Sequence, residues 1–177
     1  AVKELNKHGE IMDIMGLSAT VYNKINIHVG GAYGDKEATL KRWIKSYYLL
    51  DDSTQKRLTI ENDDKANMYS VKELYKGISE QCGVPIVFDY YHHKFCTGDL
   101  SEQEALNLAI KTWPKDITPC CHYSESRRDE HLDESIRAQA HSDLIKGTIC
   151  RYGNEVDVVI EAKHKELAVL NYYKLGN

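Results

Sequence analysis

Six side chains of metal-ligand type stand out along the chain: His28, Glu61, Asp89, His92, His122 and Glu161. Carboxylate oxygen and imidazole nitrogen are hard and borderline donors, the combination that holds divalent cations. The densest stretch is PIVFDYYHH, Pro85 to His93. Its apolar run Ile86, Val87, Phe88 follows a Gly-Val-Pro break and reads as a buried strand. The strand runs straight into Asp89 and, three positions on, His92. An Asp-x-x-His spacing lets both groups reach one side of the chain as a strand opens into a loop. Taken alone, the same residues also suit a polar strand end lying in solvent.

Elements with the right periodicity surround these residues. In NKINIHVGG (Asn23 to Gly31) the alternation of Ile25, Ile27 and Val29 makes a strand with His28 near its C-terminal end. A lone histidine there is also what a hydrogen-bonded structural imidazole looks like. LTIEND (Leu58 to Asp63) is a short strand ending at Glu61. PCCHYSES (Pro119 to Ser126) is strand-like and carries His122, and Val156 to Ile160, apart from Asp157, form an apolar run closed by Glu161. Between the strands lie helical patterns. Asp35 caps Leu40, Trp43, Ile44 and Tyr47, and Ser70 precedes Val71, Leu74, Tyr75 and Ile78, with a stop near Gly83. Ser101 and Glu104 have capping-box spacing ahead of Ala105, Leu108, Ala109 and Trp113. Residues 1–18 have a loose helical spacing interrupted at Gly9, and a short helix through Leu167, Leu170 and Tyr173 closes the chain. The charged stretch SESRRDEHLDES reads as a surface loop, where functional residues tend to sit.

The successive steps His28 to Glu61, Glu61 to Asp89, Asp89 to His122 and His122 to Glu161 are 33, 28, 33 and 39 positions. Each is the size of one strand-helix unit. All five polar residues thus fall at the C-terminal ends of successive strands, the catalytic face of a parallel α/β barrel of the TIM type. The repetition, more than any one residue, points to a shared metal site. Five units fill the 177 residues, whereas a closed eight-stranded barrel takes roughly 250. The expectation is a single domain, 1–177, that forms the C-terminal part of a (β/α)8 barrel, or an open variant whose edges something else covers.

Composition excludes little. With 28% charged and 42% hydrophobic residues the chain can build one soluble core. No apolar run approaches the roughly 18 residues of a membrane span, and the N-terminus does not read as a signal peptide. A net charge of −4 offers no global basic field for nucleic acid. That counts only weakly against DNA, because carboxylates committed to cations are cancelled locally. Five cysteines without CxxC spacing argue for a reducing compartment, hence a cytoplasmic protein, or a nuclear or mitochondrial one in a eukaryote.

INIHVGGAYGDK, LTIEND, PIVFDYYHH, CHYSE, HSD and IEAKHKE together resemble the UV damage endonucleases, relatives of endonuclease IV in a metal-dependent TIM-barrel superfamily. The match runs the length of the chain in the right order. The resemblance implies an enzyme that nicks damaged double-stranded DNA immediately 5′ of ultraviolet photoproducts and other distortions, leaving a 3′-hydroxyl and a 5′-phosphate. It implies two or three divalent ions, with manganese favoured over zinc or magnesium. Carried over, Glu61, Asp89, His122 and Glu161 are the catalytic ligands of the deepest ion. Glu61 bridges to a second ion shared with His28, and His92 and His141 hold a third. Lys36, Lys163 and Lys165 are then placed to meet DNA phosphates, and Tyr90 and Tyr91 to stack on nucleotides.

Two departures accompany the resemblance. The family has a lysine where Cys120 stands, so the thiol is either a soft ligand or a small buried residue. An N-terminal portion, with a further histidine ligand and a lesion-probing loop, is expected to be missing here. Barrel sugar isomerases and epimerases also bind cations through Glu, Asp, His and Glu at strand ends. His92 and His141 separate the two readings, since a three-ion phosphodiesterase needs them and an isomerase does not. An inactive truncated fragment of the endonuclease is the non-catalytic alternative.

Overall fold

A computed structural model describes residues 1–176. Five short strands, β1 (Ile25–His28), β2 (Leu58–Glu61), β3 (Ile86–Asp89), β4 (Cys120–Tyr123) and β5 (Asp157–Ile160), form one sheet. Its order is β1-β2-β3-β4-β5 with every neighbour parallel. Strands adjacent in sequence are adjacent in space, the singly wound order of a TIM-type barrel, here an arc with β1 and β5 at its edges.

Helices fill the connections. α1 (Val2–Ile14) precedes β1, and α2 (Lys36–Tyr47) and α3 (Asp52–Arg57) lead to β2. α4 (Val71–Leu74) runs through a π-helical turn, Tyr75–Ser79, into α5 (Glu80–Cys82), which Gly83 ends in the left-handed conformation. α6 (Tyr90–His93) and α7 (Glu102–Ile110) join β3 to β4, α8 (Arg127–His131) follows β4, and α9 (Glu166–Lys174) follows β5. The expected caps form. Asp35 accepts the Ala38 N–H, and Ser70 with Glu73 and Ser101 with Glu104 make capping boxes.

Strand alternation divides the molecule in two. Ile60, Ile86, Phe88 and Cys121 face outward into the main core, against Leu74, Ile78, Leu106 and Ala109 of the surrounding helices. Val87 and Cys120 face inward with Val21 and Trp113, an apolar floor for the barrel interior. The Trp113 indole N–H donates to the Ile86 carbonyl at 2.7 Å, tying that floor to β3.

Three elements differ from the sequence expectation. α1 passes straight through Gly9, which is buried because Thr54 of α3 lies over it; a Cβ there would meet Thr54 Oγ1 at 2.2 Å. α3 itself, DSTQKR, looks polar but buries Thr54 and Arg57. The Arg57 guanidinium donates to the Ser18 and Leu17 carbonyls and pairs with Asp13, each at 2.6 Å. α8 lies inside the charged stretch read as a loop, with Ser126 as its cap. No apolar stripe announces a five-residue helix of that composition.

Candidate metal centre

The five strand-end residues land together above the apolar floor. His28, Glu61 and Asp89 are the last residues of β1, β2 and β3, His122 lies in β4, and Glu161 directly follows β5. The Glu161 N–H donates to the Tyr123 carbonyl at 2.9 Å, which carries the ladder one residue past β5. Imidazoles and carboxylates alternate around an arc. His28 Nε2 lies 3.8 Å from Glu61 Oε1, and His122 Nδ1 lies 3.3 Å from Glu61 Oε2 and 3.0 Å from Glu161 Oε1. His141 Nδ1 is 3.5 Å from Glu161 Oε2. His92 Nδ1 approaches Glu61 Oε1 at 3.3 Å and Asp89 Oδ2 at 3.9 Å. Two groups of donor atoms are close enough to hold a cation, His28–Glu61–His92 and Glu61–His122–Glu161, and Glu61 belongs to both.

These contacts are near in distance but poorly directed. Asp89 Oδ2 and His122 Nδ1 are both buried, and neither has a hydrogen-bond partner. Leaving a buried carboxylate oxygen and a ring nitrogen unpaired is costly unless something else occupies the space between them. The donor set and the orphaned atoms therefore fit divalent cations. Burial pushes the Asp89 carboxyl up to about 6, only partly opposed by His92. Burial would also raise Glu61, but the imidazoles of His122 and His92 hold it far below the carboxylate range. His92 is raised to about 9 because Glu61 and Asp89 outweigh its burial. His122 moves up for the same reason, through Cys120, Glu161 and Glu61. Protonated imidazoles among carboxylates supply here part of the positive charge that a cation would supply.

Residues absent from the sequence reading support this arc. Asn62 is fully buried. Its side chain accepts the Asp89 N–H at 2.8 Å and donates to the Asp89 carbonyl at 3.0 Å, extending the β2–β3 ladder past its last backbone pair. Its own carbonyl lies 2.9 Å from His92 Nδ1, which leaves Nε2 as the nitrogen available to a ligand. The Asn26 carboxamide donates to Glu61 Oε2 at 2.5 Å, and Asp63 Oδ1 lies 3.4 Å from His28 Nδ1. Two-residue alternation could have found Asn26, since it shares the inner face with His28. Asn62 and Asp63 lie beyond the strand, where alternation stops informing.

Several expectations need correction. DYYHH forms a helical turn rather than a loop, because Asp89 Oδ1 accepts the His92 N–H at 2.7 Å. That turn buries Tyr90 and Tyr91, which are 1% and 2% exposed. Their hydroxyls donate to the Cys150 and Ala138 carbonyls, and the Tyr91 ring meets His141 edge-on at 5.9 Å. Neither has a face left for a nucleotide. His92 and His141, expected as a pair, have ring centroids 6.2 Å apart, close enough to face one cation, and His92 also lies 5.3 Å from His28. Lys36 is engaged by the Met68 carbonyl and by Glu73. Lys163 and Lys165 are exposed just beyond Glu161. Cys120 is buried in the apolar floor and belongs to neither cation-holding group. His141 is set by the antiparallel Ser126–His141 bridge, with the Ser142 N–H donating to the Glu125 carbonyl at 2.8 Å.

A third group, Glu130, His131 and Asp143, shares no residue with the other two. Its carboxylates are already engaged: Glu130 takes the Asp143 and Leu144 N–H groups and Lys146, and Asp143 takes His131 and Arg127. It clasps the segment that carries His141.

Known proteins are similar to this chain in sequence and in fold. A protein of Bacillus velezensis described as a UV DNA damage endonuclease is 34% identical over 180 residues, which take in 96% of this chain and 53% of that protein. One from Clostridium perfringens with the same description is 32% identical, over 96% of this chain and 41% of its own length. The crystal structure of SacUVDE matches with a TM-score of 0.82 at 32% identity, across 98% of this chain and 56% of that one. The chain thus spans about half the length of these relatives. The model of the UV-endonuclease UvdE family matches residues 1–176, and the chain belongs to that family.

Proposed function

We propose that this chain carries most of the catalytic centre of a metal-dependent DNA repair endonuclease, which nicks the backbone 5′ of ultraviolet photoproducts and other lesions. The observation that carries the reading is the pair of buried, unpartnered atoms, Asp89 Oδ2 and His122 Nδ1, within an arc of alternating imidazole and carboxylate. The description of its relatives as UV DNA damage endonucleases supports the substrate.

Two or three divalent ions, manganese in first place, would supply water activation and charge neutralisation for an in-line displacement at a phosphodiester. Glu61, Asp89, His122 and Glu161 hold the deep position, with Glu61 turning its other oxygen toward His28 and His92. His141, facing the outer oxygen of Glu161, serves the more open side. An isomerase site has no use for that histidine, which favours phosphodiester chemistry. Asn26 on the Glu61 carboxylate and Asn62 on the Asp89 backbone fix these groups before substrate arrives, so that little reorganisation is left for the reaction. Lys163 and Lys165 stand at the rim as phosphate contacts.

Manganese-dependent nicking of ultraviolet-irradiated against untreated plasmid tests this. The expected result is nicking of irradiated plasmid that chelation abolishes and that leaves 3′-hydroxyl ends. Tight manganese binding with no preference for irradiated DNA overturns the assignment.

A further inference from the structure

With Tyr90 and Tyr91 buried, neither aromatic that the resemblance placed against nucleotides is left to meet one, but the loop between β1 and α2 offers another. Tyr33 is 86% exposed. It sits five residues after His28, in a loop whose backbone is held on both sides. The Ala32 carbonyl accepts the Asp35 N–H at 3.0 Å and the Thr39 hydroxyl at 3.1 Å. That closes a tight turn in which Tyr33 and Gly34 both take positive φ, +49° and +77°. Glycine, asparagine and aspartate suit such positions, and a bulky aromatic does not. The ring lies over Gly31, where an added Cβ would come within 3.2 Å of Tyr33 Cζ. It shares a rim cavity of about 290 Å³ with His28, Val29, Arg42 and Trp43. A strained turn thus holds a large aromatic out in water beside a candidate ligand, with little burial in return.

We propose that Tyr33 is a substrate-positioning residue whose ring stacks on a nucleobase of the strand held at the His28–Glu61 side of the centre. The inference rests on the endonuclease reading and adds to it a place where the DNA is gripped. Aromatic stacking grips any base by its π-face, so it suits an enzyme that meets lesions in varied sequence.

The test compares this chain with Tyr33→Gly, Tyr33→Phe and Tyr33→Trp, each loaded with manganese. The DNA is an ultraviolet-lesion duplex carrying 2-aminopurine at each flanking nucleotide in turn. Stacking predicts quenched 2-aminopurine fluorescence at one position, retained in the Phe and Trp variants and lost in Tyr33→Gly. DNA affinity should fall roughly 5- to 150-fold in Tyr33→Gly, the range for one base–aromatic stack. Manganese affinity should be unchanged, and the melting temperature unchanged or higher, because glycine accepts the positive φ. Equal affinity and equal quenching in Tyr33→Gly and the parent overturn the stacking role while leaving the endonuclease reading intact. A parent chain that binds manganese but no DNA overturns both.

Discussion

The middle of the sheet and its edges treat the same residue types differently. Glu61 and Asp89, at the ends of β2 and β3, are buried, and each is fixed by a carboxamide or backbone partner. His28 and Glu161, at the ends of the edge strands, are 43% and 33% exposed at their side chains. Charge is expensive in the middle and cheap at the edges. The central pair therefore depends on compensating charge and on Asn62, whereas an edge ligand can be lost without leaving an uncompensated charge in the interior.

The sharpest break of this contrast is Glu61→Gln set against His28→Ala. Glu61 contributes to both cation-holding groups, so Glu61→Gln should weaken manganese at both, by more than about 100-fold, given that loss of an outer partner alone typically costs about 10- to 100-fold. His28→Ala should remove one class of binding and leave the other. Competition against a calibrated chelator measures both. Equal effects of the two substitutions would show that centre and edge do not differ in the way described.

Much of this contrast is readable in the sequence. Units of similar length put His28, Glu61, Asp89, His122 and Glu161 at equivalent places, because a parallel barrel repeats its geometry with each strand and helix. What supports them is not readable in that way. Asn62 acts through a side chain that replaces a backbone pair, and nothing in LTIEND distinguishes it from an exposed amide. Tyr90 and Tyr91 go inward because Asp89 caps its own following turn, a local hydrogen bond that converts an expected loop into a helix. α3 and α8 are too short and polar to carry a periodic signal.

A smaller effect should separate the support from the ligands. Asn62→Ala leaves the buried Asp89 N–H and carbonyl unpaired, at a cost of about 1–3 kcal/mol of stability. It also loosens the strand end that aims the Asp89 carboxylate, although the backbone carbonyl that meets His92 Nδ1 remains. Manganese affinity should drop by about 10- to 100-fold, less than in Glu61→Gln. Chemical denaturation and the same chelator competition report the two losses. A variant as stable as the parent would show that the β2–β3 ends hold together without this amide.

The pH dependence of the metal-free chain probes the centre with no substitution, and it is the mildest of these effects. His92 and His122 are raised above the ordinary imidazole value of 6.5, His92 to about 9. Their contribution to stability is complete below 6.5 and is lost as pH climbs through about 9 and beyond. Asp89, raised from 3.8 to about 6, has the same sign: what its protonated form contributes is complete below 3.8 and gone above about 6. Glu61 has the opposite sign, contributing above 4.5 and failing only in strong acid. With chelator present, the melting temperature should therefore decline steadily from pH 6 to pH 10. Cations remove the cause, since they displace the imidazole protons as they bind and take over the compensation of Glu61 and Asp89. Manganese binding at pH 7 should accordingly release protons, seen as a binding enthalpy that changes with the ionisation enthalpy of the buffer. A flat apo profile together with buffer-independent enthalpy would mean that the central imidazoles are neutral. The carboxylates of the middle would then be held by hydrogen bonds alone, no differently from those at the edges.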